Sequence, residues 1–488
     1  MKQVFNPFLP LNEYIPDGEP HIFGDRVYVY GSHDKENGEF FCMLDYVCYS
    51  APIDDLKSWR YEGVIYKKTN DPASERYPFM YAPDVVKGND GKYYLYYSLA
   101  AKDRCSFLMS VAVSDTPAGE YKFIGYVKKP DGTPLQDYII FDPGLINDNG
   151  KIYLYYGVWY DFDENPQYTR EQSIQKQMEM YLKTREEIES TEGGVQGPVC
   201  VELCDDMLTI KAPPKHIFPV IYKGTSFEGH EFFEASSIRK LGDKYYFIYS
   251  TFNQHELAYA TSDYPDRDFE YGGVIISNGD VGLNGREAKD RLTRTGNNHG
   301  SIEKINGEWY IFYHRQTRKL EYSRQACAEK IQILPNGKIP QVEVTSCGLN
   351  GGPLVAKGAY PSIICCNLTN GHMPHGPCCE MRLPHVNNDG EDRFITEIEH
   401  DTLIGYKYFS FDNVKELGIQ YRNADIEPRG EIEVRLDTDA EPIGKIEISS
   451  TNEWTNAKIS VSIENGTYPL YLTYKGDGAI QIKEIFFN

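Results

Sequence analysis

The first two-thirds of this 488-residue chain repeat one short pattern, in which a turn residue precedes an alternating strand rich in tyrosine. One tyrosine anchors each repeat, at Tyr28, Tyr94, Tyr153, Tyr246 and Tyr310. Successive anchors are about sixty residues apart, except for one longer interval between the third and the fourth. Five β units of this length predict an all-β architecture, a five-bladed β-propeller whose blades are small antiparallel sheets around a central channel.

The longer interval contains a segment of different composition, from about residue 165 to residue 196. This segment is rich in Glu, Gln, Lys and Met and does not alternate, which predicts a helical insertion within the propeller. Without it the interval returns to the common period.

A second regularity precedes the anchors, because one polar residue stands about eleven positions before each of them. These residues are Asp17, Asp84, Asp142, Glu234 and His299. Equivalent positions of propeller blades lie at the same height around the axis, so the five side chains are predicted to converge at one end of the channel. Each aspartate alone could be an ordinary turn residue. Carboxylates gathered in one pocket repel one another, however, so five matched positions favour a functional site.

Carboxyl groups whose pKa values are pushed apart perform the acid–base chemistry of glycoside hydrolysis. Glu234 has the longer side chain and lies between aromatic and small residues, where desolvation raises a carboxyl pKa, so it is the candidate general acid. Asp17 lies in a Gly- and Pro-rich turn whose backbone donors can keep it ionised, so it is the candidate general base. Asp142 is the candidate third carboxylate, whose charge would raise the pKa of the acid and orient it.

Motifs in all five repeats carry a family resemblance. They are Pro16-Asp17-Gly-Glu-Pro, Tyr81-Ala-Pro-Asp84-Val-Val, Phe141-Asp142-Pro, Phe233-Glu234-Ala-Ser-Ser-Ile-Arg239, and Asn298-His299-Gly-Ser-Ile with Tyr313-His314-Arg315 after it. On these motifs, residues 1 to about 330 resemble glycoside hydrolase family 43, a five-bladed propeller family of inverting enzymes. The resemblance implies that Asp17 is the general base, Asp142 the pKa modulator and orienter, and Glu234 the general acid. The first motif reads Asp-Gly-Glu-Pro instead of the commoner Asp-Pro form, which leaves Glu19 as an alternative base.

Further residues are candidates for binding the sugar or an ion. Asp84 is predicted to contact sugar hydroxyl groups, and Arg315 to hold either a carboxylate or a sugar hydroxyl group. Tyr81 and Trp159 are candidates for stacking on a sugar face, with packing inside the fold as the alternative. The resemblance implies that His299 lies near the channel centre, where it could bind a water-coordinated calcium ion. The alternative is a neutral His299 hydrogen-bonded to the backbone. The predicted chemistry requires no cofactor.

The pattern changes beyond a Gly- and Pro-rich stretch that ends near residue 350. Short alternating strands without a helical period predict a β-sandwich over residues 351–488, of jelly-roll type, after a propeller over residues 1–350. The ending resembles carbohydrate-binding module family 6, with Tyr406, Tyr408 and Trp454 as candidates for a sugar-binding platform. The alternative is a domain that only buttresses the propeller.

Composition limits the partners. The chain has 50 basic and 72 acidic residues, a net charge of −22, which argues against nucleic acid or an anionic membrane as a partner. The first ten residues have no hydrophobic signal core, and 11 cysteines, an odd number with two adjacent pairs, do not suit a disulfide framework. A cytoplasmic location is therefore expected.

The sequence as a whole predicts an inverting, exo-acting glycosidase that binds oligosaccharides of plant origin and removes α-L-arabinofuranosyl or β-D-xylosyl residues from them. One alternative is a non-catalytic, sugar-binding propeller. Another is a retaining five-bladed hydrolase of fructans, which needs an Asn-Asp-Pro nucleophile motif that this sequence lacks at its start. The sequence does not discriminate between arabinose and xylose, because their hydroxyl patterns are similar.

Overall fold

Each anchoring tyrosine lies on the second strand of its own antiparallel sheet. The computed structural model describes residues 2–100, 107–161, 169–189, 195–376, 381–424 and 427–488. Five of its sheets follow one another along the chain. Their strands are β1 (Glu19–Phe23), β2 (Arg26–Tyr30), β3 (Tyr46–Pro52) and β4 (Arg60–Tyr66); β5 (Phe79–Lys87), β6 (Tyr93–Ala100), β7 (Phe107–Ser114) and β8 (Lys122–Tyr126); β9 (Gly144–Asp148), β10 (Lys151–Tyr156), β11 (Val199–Glu202) and β12 (Lys215–His216); β13 (Phe232–Leu241), β14 (Lys244–Thr251), β15 (Glu256–Ser262) and β16 (Glu270–Ser277); and β17 (Ile302–Ile305), β18 (Glu308–Gln316) and β19 (Arg324–Ile331). These sheets are the blades of the predicted propeller, which is confirmed.

Alternation along the strands explains why the blades are rich in tyrosine. On β6, Tyr94 and Tyr96 pack against the third blade, while Leu95 and Tyr97 pack against the first. Both faces of the sheet are therefore buried between neighbouring blades. Tyrosine fills this space and still satisfies its hydroxyl group, as Tyr97 does by donating a hydrogen bond of 2.6 Å to Asp71.

The N-terminal segment covers the outer edge of the fifth blade. The backbone N–H of Phe8 donates to the carbonyl of Ala326 on β19. The Asn6 side chain bonds both the N–H and the carbonyl of Ala328, at 3.0 Å each. This segment therefore pairs with a strand edge that would otherwise be open.

Two helices form the described part of the predicted insertion, α1 (Arg170–Tyr181) and α2 (Arg185–Glu189). Thr169 begins α1 with a capping box to Gln172. Apolar side chains of both helices pack in one cluster with Phe233, the residue before Glu234. Residues 165–168 and 190–194 of the predicted insertion lie outside the described residues. Neither described helix is long and apolar enough to cross a membrane.

Two six-stranded sheets form the C-terminal sandwich. The first contains β20 (Leu354–Val355), β22 (Asn367–Thr369), β25 (Leu403–Phe411), β27 (Arg429–Arg435), β28 (Gly444–Ile448) and β30 (Gly466–Asp477). The second contains β21 (Gly358–Pro361), β23 (His385–Asp389), β24 (Asp392–Ile398), β26 (Glu416–Asn423), β29 (Thr455–Ser460) and β31 (Ile480–Phe487). Alternate side chains of both sheets meet in one apolar core. The all-β fold predicted from the sequence is thus confirmed in both parts.

The sandwich is attached to the propeller by buried charges. Lys407 is 4% exposed, and its ammonium group lies 2.8 Å from Asp280 and 2.9 Å from Glu343. Arg393 of the sandwich lies 3.1 Å from Glu36 of the first blade. These contacts fix the sandwich beside one end of the channel.

Candidate active site

One pocket of about 400 Å³ opens at the end of the channel where the predicted polar residues meet. All five blades and the sandwich contribute to its walls. The lining residues are Asp17, Phe41, Tyr81, Phe141, Asp142, Tyr160, Phe233, Glu234, Gln254, Asn297, His299, Glu321, Arg324, His375 and Gly376. The three predicted catalytic carboxylates, His299 and Tyr81 are all among them. The volume is typical of a small-ligand site.

The backbone is strained at the three carboxylates. Asp17 has φ 60°, Asp142 has φ 49°, and Ala235, directly after Glu234, has φ 69°. A left-handed conformation costs a residue other than glycine about 1–2 kcal/mol. Strain of this kind concentrates at functional sites, where the surrounding structure holds it in place.

Buried positive charge keeps Asp17 ionised. Arg324 Nη1 lies 2.9 Å from Asp17 Oδ1, and His314 Nδ1 lies 3.3 Å from the same oxygen. Burial alone would raise the pKa of Asp17, but the guanidinium of Arg324 and the imidazole of His314 outweigh it and hold the pKa well below its usual range. An ionised carboxylate at the pocket wall can accept a proton from water, as a general base must.

Arg324 is itself held by a second carboxylate. Its Nε lies 2.8 Å from Asp34 Oδ2 and its Nη2 lies 3.1 Å from Asp34 Oδ1, so the pair is bidentate. No local sequence pattern predicts the role of Arg324, because Arg324 meets Asp17 only where the last blade packs against the first.

Asp142 and Glu234 are coupled through the backbone. The N–H of Ala235 donates to Asp142 Oδ2 at 3.0 Å, which brings the two carboxyl groups together. Burial, the negative charge of Glu234 and that of Asp17 raise the pKa of Asp142 well above its usual range. The protonation of Asp142 therefore depends on the charge of Glu234, and that of Glu234 on the charge of Asp142. Asp142 is only 3% exposed, whereas Glu234 is half-buried and can reach a ligand.

Glu19, the alternative base, lies behind the pocket wall. Its side chain is fully buried and bonds Ser237 at 3.1 Å and Arg239 at 3.2 Å. Burial and the negative charge of Asp84 raise the pKa of Glu19 to about 8. A buried carboxyl group that is protonated at neutral pH cannot serve as a base, so the structure favours Asp17.

The structure corrects the position of Asp84, which does not line the pocket. Its carboxylate accepts hydrogen bonds from His21 Nε2 at 2.6 Å and from the backbone N–H groups of Val85 at 2.6 Å and Leu145 at 2.7 Å. Through His21 and Leu145, Asp84 links its own blade to the first and the third, and it lies outside the pocket where a sugar would bind.

Arg315 and Trp159 also lie outside the pocket. Arg315 is buried between the two domains, where it lies 3.0 Å from the Cys365 carbonyl. Trp159 packs edge-on against Tyr222, and the next residue, Tyr160, lines the pocket instead. Successive side chains of an extended segment point to opposite sides, so Tyr160 faces the pocket and Trp159, predicted to do so, faces away from it.

His299 lies between the carboxylates and the channel. Its Nδ1 is 3.5 Å from Asp142 and 4.0 Å from Asp17, and burial lowers its pKa to about 4. Its Nε2 and Glu19 Oε1 are 4.0 Å apart, and neither buried atom has a hydrogen-bond partner among the described residues. One water molecule between them would satisfy both atoms, either alone or as part of the hydration shell of the calcium ion that the sequence suggested.

The aromatic residues suggested as a sugar platform on the sandwich are largely occupied. Tyr406 is fully buried, and Tyr408 donates a hydrogen bond of 2.6 Å to Glu343 of the connecting segment. Trp454 is half-buried under the guanidinium of Arg422, 4.3 Å from its ring centre. Tyr406 is therefore excluded as a surface platform.

The chain is similar to known proteins over both of its parts. Residues 22–339 match the family model of the glycosyl hydrolases family 43, and residues 384–488 match that of carbohydrate binding module family 6. A protein of Thermoclostridium stercorarium named xylosidase/arabinosidase is 45% identical over 500 residues, which cover 99% of this chain and 98% of that protein. A xylosidase/arabinosidase of Bacteroides ovatus is 31% identical, over 63% of this chain and 87% of that protein.

Solved structures are similar as well. A family 43 β-xylosidase/α-arabinofuranosidase from a compost metagenome, solved with xylotriose in a calcium-free form, is 27% identical with a TM-score of 0.50, over 70% of this chain and 98% of that one. An arabinoxylan arabinofuranohydrolase of Bacillus subtilis is 20% identical with a TM-score of 0.51, over 99% of this chain and 97% of that one. The second likeness concerns the fold alone.

Proposed function

The chain belongs to glycosyl hydrolase family 43, and from this premise we propose that it is an inverting, exo-acting glycosidase that removes β-D-xylosyl or α-L-arabinofuranosyl residues from plant-derived oligosaccharides. One observation carries the proposal: Asp17, held ionised by Arg324, lines the same pocket as Asp142 and Glu234, whose carboxyl groups interact electrostatically. The names of the two relatives support the choice of sugars.

In the proposed reaction, Asp17 accepts a proton from a water molecule as that water attacks the anomeric carbon. Glu234 donates its proton to the glycosidic oxygen as the bond to the leaving group breaks. The water oxygen becomes the new anomeric hydroxyl group on the opposite face of the ring, which inverts the configuration. Because Asp142 and Glu234 repel each other when both are ionised, one of them keeps a proton more strongly, and we assign this proton to the more exposed Glu234 before the reaction.

The shape of the site supports exo action. Aromatic side chains, including Tyr81, Phe141 and Phe233, wall the pocket, and buried His299 lies at its base. A pocket with a floor accommodates the end of a sugar chain, whereas an open groove accommodates its middle.

The chemistry itself needs no cofactor, since each proton transfer has a carboxyl group to perform it. We propose in addition that His299 binds a hydrated calcium ion, with Glu19 in contact with the water shell of that ion. Such an ion would supply positive charge beneath the carboxylates of the pocket.

Eight cysteines in the described part of the chain are free thiols. Free buried thiols are typical of a reducing compartment, which supports our proposal that the enzyme acts in the cytoplasm on imported oligosaccharides.

The configuration of the first product tests the proposal. Incubation with 4-nitrophenyl β-D-xyloside or α-L-arabinofuranoside, followed by proton NMR before mutarotation, should show α-xylose or β-arabinose first. Retention of configuration would contradict the assigned roles. A wild-type protein that hydrolyses neither glycoside but binds xylo-oligosaccharides would favour the non-catalytic alternative.

A further inference from the structure

The sandwich domain extends a segment into the pocket wall of the propeller. The backbone of Thr295 pairs with this segment, because its N–H donates to the Pro374 carbonyl at 3.2 Å and its carbonyl accepts from the Gly376 N–H at 2.8 Å. His375 and Gly376 consequently line the pocket beside the blade residues. The segment is therefore part of the site and cannot leave it without breaking backbone hydrogen bonds.

Both ring nitrogens of His375 have partners. Nδ1 lies 3.0 Å from the Thr295 hydroxyl group, and Nε2 lies 3.3 Å from Gln254 Oε1. His375 is partly exposed, and the desolvation of its ring together with the nearby positive groups lowers its pKa, so the imidazole is neutral at neutral pH. The Thr295 hydroxyl can donate to Nδ1, and the proton on Nε2 is then donated to the amide oxygen of Gln254.

Gln254 is held in an unusual conformation next to the general acid. It has φ 64°, although it is not a glycine. Its backbone carbonyl accepts a hydrogen bond of 3.3 Å from Ser250, the residue that pairs with Glu234 across β13 and β14. Its amide nitrogen has no hydrogen-bond partner among the described residues, and its side chain lines the pocket.

We propose that His375 of the sandwich domain positions Gln254, so that the amide N–H groups of Gln254 bind the sugar on the leaving-group side of the scissile bond. The inference rests on the proposed function. Glu234 must donate its proton to the leaving oxygen, so the leaving group lies on the side of Glu234, where Gln254 is anchored. Since the His375 proton occupies the amide oxygen, the amide nitrogen faces the remaining space as a donor.

This arrangement makes the sandwich a determinant of specificity. A leaving group with sugar hydroxyls can accept hydrogen bonds from Gln254, whereas a nitrophenyl group offers no hydroxyl in that position. The enzyme should therefore distinguish disaccharides from aryl glycosides through a residue of its second domain.

The test compares two substrates in four variants. The variants are H375A, Q254A, the double variant H375A/Q254A and H375Q, in the full chain. The substrates are xylobiose and 4-nitrophenyl β-D-xyloside or, where the enzyme prefers arabinose, α-1,5-arabinobiose and the nitrophenyl arabinofuranoside. We expect H375A and Q254A to lower kcat/KM on the disaccharide about 10-fold, at least five times more than on the aryl glycoside.

Coupling between the two residues identifies a positioning role. The double variant should lose no more activity than Q254A alone, because His375 acts through Gln254. H375Q should recover part of the loss, since its amide can reach the place of Nε2 and donate. H372A is the matched control: His372 belongs to the same segment, is exposed and does not line the pocket, so both substrates should react as with the wild type.

Several results would overturn the inference. They are equal losses on both substrates, additive losses in the double variant, or unchanged disaccharide turnover in H375A. If H375A fails to fold in a thermal unfolding assay, Q254A and H375Q still test the inference. Q254A leaves the segment unchanged, and H375Q keeps a hydrogen-bonding side chain in it. If the wild type hydrolyses aryl glycosides but the variants lose no more activity on the disaccharide than on the aryl glycoside, only this inference is refuted. A wild type inactive on all four substrates refutes the proposed function as well.

Discussion

Arg324 Nη1 lies 2.9 Å from Asp17 Oδ1, and both side chains are almost completely buried. A buried guanidinium costs stability unless carboxylates surround it, and Arg324 also bonds Asp34 through two further nitrogens. The arrangement keeps Asp17 charged in a place where burial alone would neutralise it. The charge of the candidate base thus depends on a contact between the first and the last blade.

We expect R324M to weaken the base by removing this charge. The pKa of Asp17 should rise, since burial is then opposed only by the two histidines His314 and His299, so the acidic limb of the kcat/KM profile should move to higher pH. Turnover at neutral pH should fall about 100-fold or more, as general-base contributions of this size suggest. R267M, at an exposed arginine, should leave the profile in place. An unshifted acidic limb in R324M would refute the role given to Arg324.

D142N should shift the basic limb of the kcat/KM profile. The substitution removes the carboxyl group that repels an ionised Glu234, so Glu234 should lose its proton at a lower pH than in the wild type. Because the acid must be protonated, the basic limb of the kcat/KM profile should move to lower pH. E234Q should reduce turnover about 100- to 10,000-fold on glycosides with poor leaving groups, and less on dinitrophenyl glycosides, whose leaving oxygen needs no proton. Movement of the basic limb to higher pH in D142N would contradict this assignment.

E19Q and D17N should separate the two acidic residues of the first motif. D17N should lose turnover by about 100-fold or more, while E19Q should stay within about 10-fold of the wild type, because Glu19 is buried behind the pocket wall. The pKa of Glu19 is raised to about 8, so the folded state binds its proton more tightly than the unfolded state. Its contribution to stability is full below the unfolded pKa near 4.5 and is lost as pH rises through about 8.

Thermal unfolding between pH 5 and pH 8 checks that sign. The wild type should lose stability across this range, and E19Q, which mimics the protonated form, should lose less of it. Parallel curves for the two proteins would show that Glu19 is ionised in the folded state.

Chelation tests whether a calcium ion is bound near His299 and Glu19. If a calcium ion is held there, EDTA should lower Tm by a few degrees and added calcium should restore it, because a ligand bound only by the folded state stabilises it. E19Q should then respond less to EDTA than the wild type. An unchanged Tm in EDTA would mean that a water molecule bridges these two atoms.

The sequence predicted the site wherever blade periodicity determines position. Asp17, Asp142 and His299 stand at the same offset from their anchors and meet in the pocket. Asp84 is one residue nearer its anchor and lies inside β5, paired with Tyr96, so it faces the neighbouring blade. Glu234 also lies inside a strand, but β13 is irregular on both sides of it, which redirects the side chain to the pocket.

The positions of Arg324 and His375 in the site could not be predicted from the sequence, for a different reason. Arg324 contacts Asp17 across the closure of the ring, and His375 arrives from another domain. Neither contact leaves a local pattern, because it depends on how whole sheets pack. His375 and Gly376 line the pocket, while residues 377–380, which follow them, are outside the described part of the chain.

The buried ion pairs of Lys407 should show how firmly the sandwich is held. K407M leaves Asp280, 3% exposed, without its cationic partner, and breaking a buried pair from one side typically costs about 3–5 kcal/mol. K445M removes a lysine that is exposed and pairs with Glu431 within the sandwich, where the loss should be below about 1 kcal/mol. Urea unfolding monitored by tryptophan fluorescence compares the two variants. Because the same domain carries His375, K407M should also lower turnover of disaccharides more than that of aryl glycosides. If K407M costs no more stability than K445M, the domains are held by their apolar contacts and the buried charges serve only to fix the register between them.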